Sequence, residues 1–362
     1  MKQNLIGAEA SLLEALGRLN ALSGSAITLF VTDVSGRLLG TLTDGDIRRA
    51  LLGGASLDSA VTEAMHTAFR AIGPDDSGAA AVERLRDFRS RGIRLVPRLD
   101  ADGRPVEIID LGRTHTRLPL RAILMAGGKG ERLRPLTLTR PKPLLEIDGK
   151  AIIDYNIEAL AACGITDITA CVRYMAEQIE EHFAGPVAGV DVKCVREEQP
   201  LGTIGAATLC GIPDGSDGHT LVMNSDLLTT ISFEEMYLKH IDTGADATIA
   251  VVPYQVTVPF AILDLDGERV SGITEKPSYS HYANAGIYIF SDRLLGRLRP
   301  GERADAPDLL ADAIADGMRV SYYVIRGSWI DVGSPADFSQ ARELMRHHRN
   351  FAGVNYPGAT PL

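Results

Sequence analysis

Two kinds of hydrophobic pattern divide the chain. From about residue 119 onward, short apolar runs alternate with longer segments in which apolar residues recur three and four positions apart. This alternation predicts strands connected by amphipathic helices, which is typical of an α/β domain with a mostly parallel sheet. The predicted strands are 121–125, 167–174 and 219–224, and the predicted helices are 151–163 and 231–241.

Turn and cap residues add detail to this part of the chain. The segment AILDLDGERVSGI predicts a β-hairpin that turns at Asp266-Gly267. Near the end, Ser334 and Pro335 have the identities expected at the N-cap and first position of a helix. Residues 351–362, FAGVNYPGATPL, show no such pattern, and we expect them to form a loose tail.

The first third of the chain differs, because one pattern occurs twice. TLFVTDVSGRLLGTLTDGDIRRAL, from Thr28, is matched by RLVPRLDADGRPVEIIDLGRT, from Arg94. Each copy reads as a strand, an acidic turn with glycine, and a second strand. An amphipathic helix is predicted before each copy, at 11–22 and 77–89. Two such units predict one small α+β domain. The expected domains are therefore residues 1–115 and residues 120–350, followed by the tail at 351–362.

Composition limits the partners of the chain. Its 362 residues include 47 acidic and 37 basic side chains, for a formal charge of −10. This charge, without a long Lys/Arg run, argues against a nucleic-acid partner. No apolar run approaches the ~20 residues that cross a bilayer, and the start lacks the apolar region of a signal peptide. We therefore expect a cytoplasmic protein with no membrane partner. The four cysteines are scattered singly along the sequence. We expect them to be free thiols, as is usual in a reducing compartment.

A cationic cluster contrasts with this acidic composition. It lies in AILMAGGKGERLRPLTLTRPKPLLEI, residues 122–147, where an apolar run is followed by three glycines. The cations that follow are Lys129, Arg132, Arg134, Arg140 and Lys142. A glycine loop directly after a strand presents backbone N–H groups that can hold phosphate oxygens. The segment therefore predicts a site for an anionic ligand.

The residues after the glycines exclude two common phosphate loops. A Walker A loop requires Gly-Lys followed by Ser or Thr, whereas Gly130 is followed by Glu131 and Arg132. A Rossmann loop requires a small residue where the helix packs closely on the strand, and Leu133 stands at that position. The loop therefore fits neither of these two phosphate-binding patterns.

The same segment resembles the signature of the sugar-phosphate nucleotidyltransferases. GGKGERLRPLTLTRPKPLLEI fits the pattern GGxGxRLxPLTxxxPKPLLxI at every fixed position. Five further segments resemble family motifs in the same order: QPLGTIGAA, NSDLL, EKP, NAGIYIF and WIDVGSP. The resemblance covers about residues 120–349 and is of the mannose-1-phosphate guanylyltransferase type. It implies an α/β domain with a Rossmann-like, mostly parallel sheet, similar to the GT-A fold.

This resemblance implies a role for each motif. The residues that would bind the nucleotide are Ala126, Gly127, Gly128, Lys129, Gly130, Gln199, Gly202 and Thr203. The implied catalytic residues are Arg132, Lys142 and Asp226. Those that would hold the sugar phosphate are Glu275, Lys276 and Asn284. Asp226 and Asp331 would bind Mg²⁺, which prefers oxygen ligands. One position departs from the family pattern, since Ser225 stands where Gly is more usual.

The implied reaction joins an NTP and a sugar 1-phosphate to give an NDP-sugar and pyrophosphate. A phosphate monoester has a second pKa of about 6, so at neutral pH it is already mostly a dianionic nucleophile. The main barrier is the repulsion and positioning of two polyanions. We therefore expect a direct in-line attack on the α-phosphate, assisted by cations and Mg²⁺, without an essential general base.

The identity of the nucleobase in the NTP and the biological role of the product are open at this point. Residues 198–203, EQPLGT, resemble the EEPLGT of guanylyltransferases, which favours GTP. UTP, CTP and dTTP are the alternatives, because a glutamine at 199 can pair with more than one base. The product would serve the biosynthesis of surface glycans. A hypothesis of a different class is a nucleotide sensor whose transferase fold has lost turnover.

The repeated unit in the first third resembles a pair of cystathionine-β-synthase (CBS) domains. In GTLTDGDIRRAL, Thr43 and Asp46 stand where that family holds the phosphate and ribose of a nucleotide, with an adenine nucleotide as the expected ligand. The second copy departs from the pattern, because Glu107 stands at the position of Gly40. The pair would bind one regulatory nucleotide or would only mediate dimerisation. In either case we expect a homo-oligomer, a dimer or larger.

Overall fold

The computed structural model describes residues 2–22, 27–212 and 217–351. The chain divides into two compact units, Met1–Leu118 with Ala162–Gly164 and Pro119–Ala161 with Ile165–Leu362. The expected tail lies outside the described residues, except for Phe351, which ends the last helix. Within the described ranges, no helix is long and apolar enough to cross a membrane.

The first unit contains both copies of the repeat. Its elements are β1 (Leu5–Gly7), α1 (Leu12–Ala21), β2 (Leu29–Thr32), β3 (Leu38–Leu42), α2 (Asp44–Leu52), α3 (Gly78–Ser90), β4 (Leu95–Leu99) and β5 (Pro105–Asp110). Strand β2 lies between β1, which is parallel to it, and β3, which is antiparallel, while β4 and β5 form a separate antiparallel pair. The predicted order of helix, strand, strand is confirmed in each copy.

The acidic turns of the two copies are built alike. Asp33 Oδ1 accepts a hydrogen bond from the Arg37 N–H at 2.9 Å, and Asp100 Oδ1 accepts one from the Arg104 N–H at 2.8 Å. The Arg104 guanidinium also donates to the Ser35 carbonyl at 2.8 Å, so the two turns lie side by side. The matching acidic residues in the sequence therefore hold matching turns.

The second unit alternates strands and helices as the hydrophobic pattern predicts. Its first elements are β6 (Leu120–Ala126), β7 (Glu146–Ile147), β8 (Lys150–Ala151), α4 (Ile152–Ala162), β9 (Ile168–Val172), α5 (Ala176–His182), β10 (Val192–Arg196), β11 (His219–Asn224), β12 (Leu227–Thr229) and α6 (Phe233–Asp242). There follow β13 (Ala247–Thr257), β14 (Ile262–Asp266), β15 (Arg269–Thr274), β16 (Ser278–Ser291), α7 (Asp292–Leu295), α8 (Ala306–Ala315), β17 (Val320–Val324), β18 (Trp329–Asp331) and α9 (Pro335–Phe351).

A seven-stranded sheet forms the centre of the second unit, in the order β10, β9, β6, β11, β16, β13, β17. Only β16 runs antiparallel to its neighbours β11 and β13, so the expected mostly parallel α/β sheet is confirmed. The chain runs outward from β6 through β9 to β10 and then returns to pair β11 on the other side of β6. In open α/β sheets, ligands bind at the carboxyl ends of strands where the order reverses in this way.

Buried apolar side chains fix the loops at this end of the sheet. Leu133 after the glycine loop packs with Leu228 of β12, Ile330 of β18 and Ala341 of α9. Each fully buried side chain of the size of leucine or isoleucine contributes roughly 1.5–3 kcal/mol. The hairpin predicted at Asp266-Gly267 is also confirmed, since β14 pairs antiparallel with β15 around that turn.

Candidate active site

A cavity of about 410 Å³ opens at the carboxyl ends of β6 and β11. Its lining includes seven residues that the sequence assigned to the nucleotide and catalytic sets: Ala126, Gly127, Gly128, Lys142, Gly202, Thr203 and Asp226. These positions are far apart in the chain, and the strand order brings them together. The remaining lining residues are Met125, Pro143, Arg173, Glu197, Pro200, Asn224, Ser225 and Arg303.

The glycine loop begins where β6 ends, and two of its glycines have a steric reason. A Cβ on Gly127 would lie 2.6 Å from a Glu197 carboxylate oxygen, so a side chain there would displace that carboxylate. Gly130 has φ +61°, and a Cβ there would lie 2.9 Å from the Thr137 side chain. A Cβ on Gly128, in contrast, would meet no atom within 4 Å. Gly128 therefore leaves its backbone accessible from the cavity, as close approach of a phosphate requires.

Lys142 is the buried cation of the site. It lies on a short 3-10 turn, Lys142–Leu144, with 7% of its surface exposed. Its ammonium group forms an ion pair with Asp226 and lies 3.4 Å from Asp331 Oδ1. A buried charge is tolerated when it is paired in this way. The three residues that the motifs assigned to phosphate and metal chemistry are thus in direct contact.

Two short strands hold the aspartates together. Strand β12 pairs antiparallel with β18, with Leu227 opposite Asp331. The Val332 N–H donates to the Asp226 carbonyl at 3.1 Å and closes the same pairing. Burial raises the pKa of Asp331, and the negative charge of Asp226 raises it further, while Lys142 and Arg132 act in the opposite direction.

Arg132 lies near the same group of residues. Its guanidinium lies 3.1 Å from the place that a Cβ on Gly333 would occupy, two residues after Asp331. Its charge is one of the influences that lower the pKa of Asp331. The glycine at 333 therefore gives Arg132 room beside the aspartate. Arg132 does not line the cavity itself, and neither does Asp331.

The two aspartates fit the chemistry of a hard divalent cation. The buried Oδ1 of Asp226 has no hydrogen-bond partner among the described residues, so one carboxylate oxygen is available for another ligand. Within the same described ranges, no three His, Cys, Asp or Glu side chains gather as a metal cluster. Mg²⁺ is commonly held by one or two carboxylates together with phosphate oxygens and water. Asp226 and Asp331 match that donor set.

A second loop fixes the QPLGT segment at the cavity wall. Gly202 has φ +81°, and a Cβ there would clash with the Ala304 carbonyl oxygen. The Thr203 N–H donates to Asp305 Oδ1 at 2.9 Å, and the Thr203 hydroxyl accepts from the Ala306 N–H at 2.8 Å. The hydrogen bond from Thr203 is the main reason that the pKa of Asp305 is lowered.

Three charged residues of the cavity wall were missed by the sequence motifs. Arg173 directly follows β9 and Glu197 directly follows β10, so the rule of carboxyl strand ends could have identified both. Burial raises the pKa of Glu197, although its carboxylate accepts a hydrogen bond from the Leu201 N–H at 3.2 Å. Arg303 lies outside every motif, and no sequence signal indicated it.

The other assigned residues are not brought to the cavity wall. Gln199 donates from its side chain to the Gly301 carbonyl at 3.0 Å, and Lys129 lies beyond the lining of the loop. Asn284 donates to the Tyr288 hydroxyl at 2.9 Å and accepts from the Gly286 N–H at 2.9 Å. Glu275 and Lys276 are exposed, and Lys276 has a left-handed backbone at φ 44°.

In the first unit, Thr43 and Asp46 bond to each other. Thr43 is the N-cap of α2, and its hydroxyl donates to Asp46 Oδ2 at 2.6 Å. The Thr43 N–H donates to the same oxygen at 2.8 Å, which completes a capping box. Burial would raise the pKa of Asp46, but the bonds from Thr43 and the charge of Arg49 leave it lowered.

Comparison with known proteins adds an independent result. Residues 121–348 match the family model described as nucleotidyl transferase, and residues 5–53 match the CBS domain model. Similar proteins include the mannose-1-phosphate guanylyltransferase catalytic subunit beta of Danio rerio, 31% identical over 227 residues, and the mannose-1-phosphate guanyltransferase of Neurospora crassa, 33% identical over 227 residues. Each alignment covers 60% of this chain and 62% of the relative, so the chain spans less than two thirds of their length.

A solved structure supports the fold. A putative glucose-1-phosphate thymidylyltransferase from Bacillus anthracis aligns with a TM-score of 0.50 and 23% identity, over 66% of this chain and 97% of the other. At that identity the likeness concerns the fold alone. The family match, in contrast, extends over more than half of the chain and includes the glycine loop, Lys142 and both aspartates. The chain therefore belongs to the nucleotidyl transferase family, and it carries a CBS domain before its transferase domain.

Proposed function

We propose that the chain transfers a nucleoside monophosphate from GTP to a sugar 1-phosphate, giving a GDP-sugar and pyrophosphate. The contact of Lys142 with both Asp226 and Asp331, at the edge of a cavity that starts with a glycine loop, carries this proposal. A buried cation between two carboxylates suits a reaction in which two polyanions must meet.

Each group would act on charge rather than on a proton. The open backbone at Gly128 would receive the triphosphate, and Arg132 would draw charge toward the leaving pyrophosphate. Lys142 would neutralise the reacting phosphates. Asp226 and Asp331 would hold Mg²⁺, which supplies charge neutralisation for the phosphate oxygens. Because the sugar phosphate is already a dianion, attack on the α-phosphorus needs no general base.

The two substrates would be held by different segments of the second unit. Gly202 and Thr203, fixed by the loop at 301–306, would face the base. Gln199 would join them by giving up its hydrogen bond to the Gly301 carbonyl. Glu275, Lys276 and Asn284 would hold the sugar phosphate. GTP is favoured because the similar proteins are named guanylyltransferases, while UTP, CTP and dTTP are the alternatives to test.

The wider context is part of the same proposal. Residues 1–115 would form a CBS pair that binds an adenine nucleotide at Thr43 and Asp46 or mediates dimerisation, and residues 120–350 would form the transferase. The product would supply surface glycan biosynthesis in the cytoplasm. The sensor hypothesis predicts ligand binding without turnover, so a measurement of product separates it from the enzyme.

The test is pyrophosphate release with Mg²⁺ across a matrix of substrates. GTP, UTP, CTP, dTTP and ATP are each combined with glucose, mannose, glucosamine, N-acetylglucosamine, N-acetylmuramic acid and heptose 1-phosphates, and the products are identified by mass spectrometry. We expect turnover with GTP and one of these sugars. Turnover with another base alone would overturn the assignment to GTP. Binding of an NTP with no turnover in any combination would favour the sensor.

A further inference from the structure

The wall of the cavity includes an arginine that no sequence motif indicated. Among the described residues, the cations that line the cavity are Lys142, Arg173 and Arg303. Lys142 pairs with two aspartates. Burial raises the pKa of Glu197, and the nearby charge of Arg173 opposes that rise. Arg303, in contrast, keeps 72% of its side chain exposed, so it has surface available for a ligand that enters the cavity.

One carboxylate fixes Arg303 beside the segment that is proposed to face the base. Asp305 Oδ1 accepts a hydrogen bond from the Thr203 N–H at 2.9 Å, and Asp305 Oδ2 accepts one from Arg303 Nη2 at 3.0 Å. Asp305 stands directly before α8, whose first N–H, that of Ala306, donates to the Thr203 hydroxyl at 2.8 Å. The Arg303 guanidinium and the Thr203 backbone are therefore held by the two oxygens of a single group.

The backbone on both sides of Arg303 is anchored to the same wall. The Ala304 N–H donates to the Leu201 carbonyl at 3.0 Å. A Cβ on Gly205 would lie 2.8 Å from the Glu302 carbonyl oxygen, so these two parts of the chain pack closely. A contact with a ligand therefore requires only a rotation of the Arg303 side chain. A group that is positioned in advance loses less conformational entropy when it binds.

The chemistry of a guanidinium group suits the face of a nucleobase. The group is planar and weakly hydrated, and its N–H bonds point outward in that plane. The ion pair with Asp305 uses one edge of the plane and leaves both faces of the Arg303 guanidinium free. Such planes stack on nucleobases, where the positive charge is attracted to the π-system. A purine offers a larger face for this contact than a pyrimidine does.

We propose that the Arg303 guanidinium stacks on the nucleobase of the NTP and thereby favours a purine over a pyrimidine. This inference rests on the proposed function, because it requires the base to lie against Gly202 and Thr203. The ion pair with Asp305 is kept when the nucleotide binds, and it sets the plane of the guanidinium. Arg303 is therefore a binding residue that determines how tightly the NTP is held, and it takes no part in the chemical step.

Isothermal titration calorimetry of the full chain, with Mg²⁺ and without a sugar phosphate, measures this contact. The ligands are GTP, UTP and inorganic tripolyphosphate, which carries the phosphates without a base. We expect Arg303→Ala to weaken the binding of GTP about tenfold, to weaken that of UTP less, and to leave that of tripolyphosphate unchanged. Arg303→Lys keeps the charge but loses the plane, so its loss of GTP affinity should be close to that of Arg303→Ala.

Arg299→Ala is the matched control. Arg299 lies four residues earlier, is 79% exposed, pairs with Glu302 and does not line the cavity. Its replacement should leave the binding of all three ligands unchanged, and thermal melting verifies that every variant is folded. With a productive substrate pair, Arg303→Ala should raise the KM for the NTP while kcat stays within about twofold, because the stacking contact is the same in the ground state and the transition state.

Three results would overturn the inference. The first is a folded Arg303→Ala variant that binds GTP as tightly as the wild type does. The second is an equal loss of affinity for tripolyphosphate, which would assign Arg303 to the phosphates. The third is full recovery of GTP binding in Arg303→Lys, since charge alone would then suffice. Failure of the proposed function is recognised separately, as NTP binding without turnover in any substrate combination, because calorimetry measures the stacking contact in either case.

Discussion

At the scale of single residues, the site depends on positions where a side chain must be absent or a charge must be matched. A Cβ on Gly127, Gly130 or Gly202 would lie within 3 Å of a neighbouring atom, so the glycine loop and the segment at 199–203 pack closely against their surroundings. Buried Lys142 pairs with two aspartates that are partly exposed. Such positions tolerate little change.

Replacement of Gly202 by alanine tests the close approach of this residue to the Ala304 carbonyl. Gly202→Ala combines a strained φ of +81° with a clash against the Ala304 carbonyl, and we expect a stability loss of about 3 kcal/mol together with a higher KM for the NTP. Gly211→Ala is the matched control, because φ there is +64° but no atom lies within 4 Å. It should lose only about 1 kcal/mol. Equal losses in urea unfolding would show that the carbonyl contact is unimportant.

Four of the seven assigned residues that line the cavity could be predicted at this scale because they lie in one continuous motif. The glycine loop and Lys142 belong to a single short segment, residues 122–147, whose spacing is characteristic. Arg303 could not be predicted, because it reaches the cavity only through the loop that bonds to Thr203 and packs against Gly202. No local pattern indicated that Gln199 would donate to the Gly301 carbonyl, since the two residues are distant in the chain.

At the scale of elements, strand order and strand pairing build the site. Hydrophobic patterns predicted β6, α4, β9, β11 and α6, because each is a local pattern of buried positions. The antiparallel insertion of β16 between β11 and β13 depends on long-range pairing, which periodicity does not specify. The same holds for the pairing of β12 with β18, which brings Asp226 and Asp331 together.

Helix α6 is attached to the sheet through a buried histidine pair. His240, which is fully buried, bonds to the Thr248 hydroxyl at 2.8 Å and to His219 at 3.0 Å. Burial, followed by the proximity of His219, lowers the pKa of His240 to about 4. Burial also lowers the pKa of His219. Both rings are therefore neutral in the folded protein at neutral pH.

This pair predicts a loss of stability in mild acid. The unfolded chain takes up a proton on His240 near pH 6.5, whereas the folded chain resists it until about pH 4. The stabilising contribution is thus complete above pH 6.5 and is lost as the pH falls toward 4. We expect His240 to lower the free energy of unfolding by about 2 kcal/mol between pH 7 and pH 5. Urea unfolding of the wild type and of His240→Gln at several pH values measures this loss. If the free energy of unfolding falls equally steeply with pH in both proteins, His240 is not its cause.

At the scale of the whole molecule, the chain combines a transferase domain with a CBS domain that has its own candidate ligand site. The repeat in the sequence predicted the small α+β unit, since each copy contains its own turn and strand pair. Thr43 and Asp46 bond to each other at the start of α2, so a ligand there would have to replace one of those bonds.

Binding of AMP to the full chain tests that second site. AMP lacks the triphosphate that the transferase site is proposed to hold, so saturable binding by calorimetry would report on the CBS domain. We expect one site and a loss of affinity of at least about tenfold in Asp46→Ala, because a hydrogen bond to a charged group contributes roughly 1.5–3 kcal/mol. Asp44→Ala is the control, since its carboxylate pairs with exposed Arg48. Affinity unchanged by Asp46→Ala would leave the domain a structural role.

Lys142, a buried cation paired with two aspartates, is proposed to support nucleotidyl transfer. Its most direct test is Mg²⁺-dependent pyrophosphate release by the wild type, Lys142→Ala and Arg140→Ala, with the productive substrate pair. Arg140 is a cation of the same segment but is exposed and paired with Glu146. We expect Lys142→Ala to lose about 10²–10³-fold in kcat and Arg140→Ala to stay within about fivefold of the wild type. A folded Lys142→Ala variant with the wild-type rate would show that the Lys142 ammonium group is not needed for the transfer.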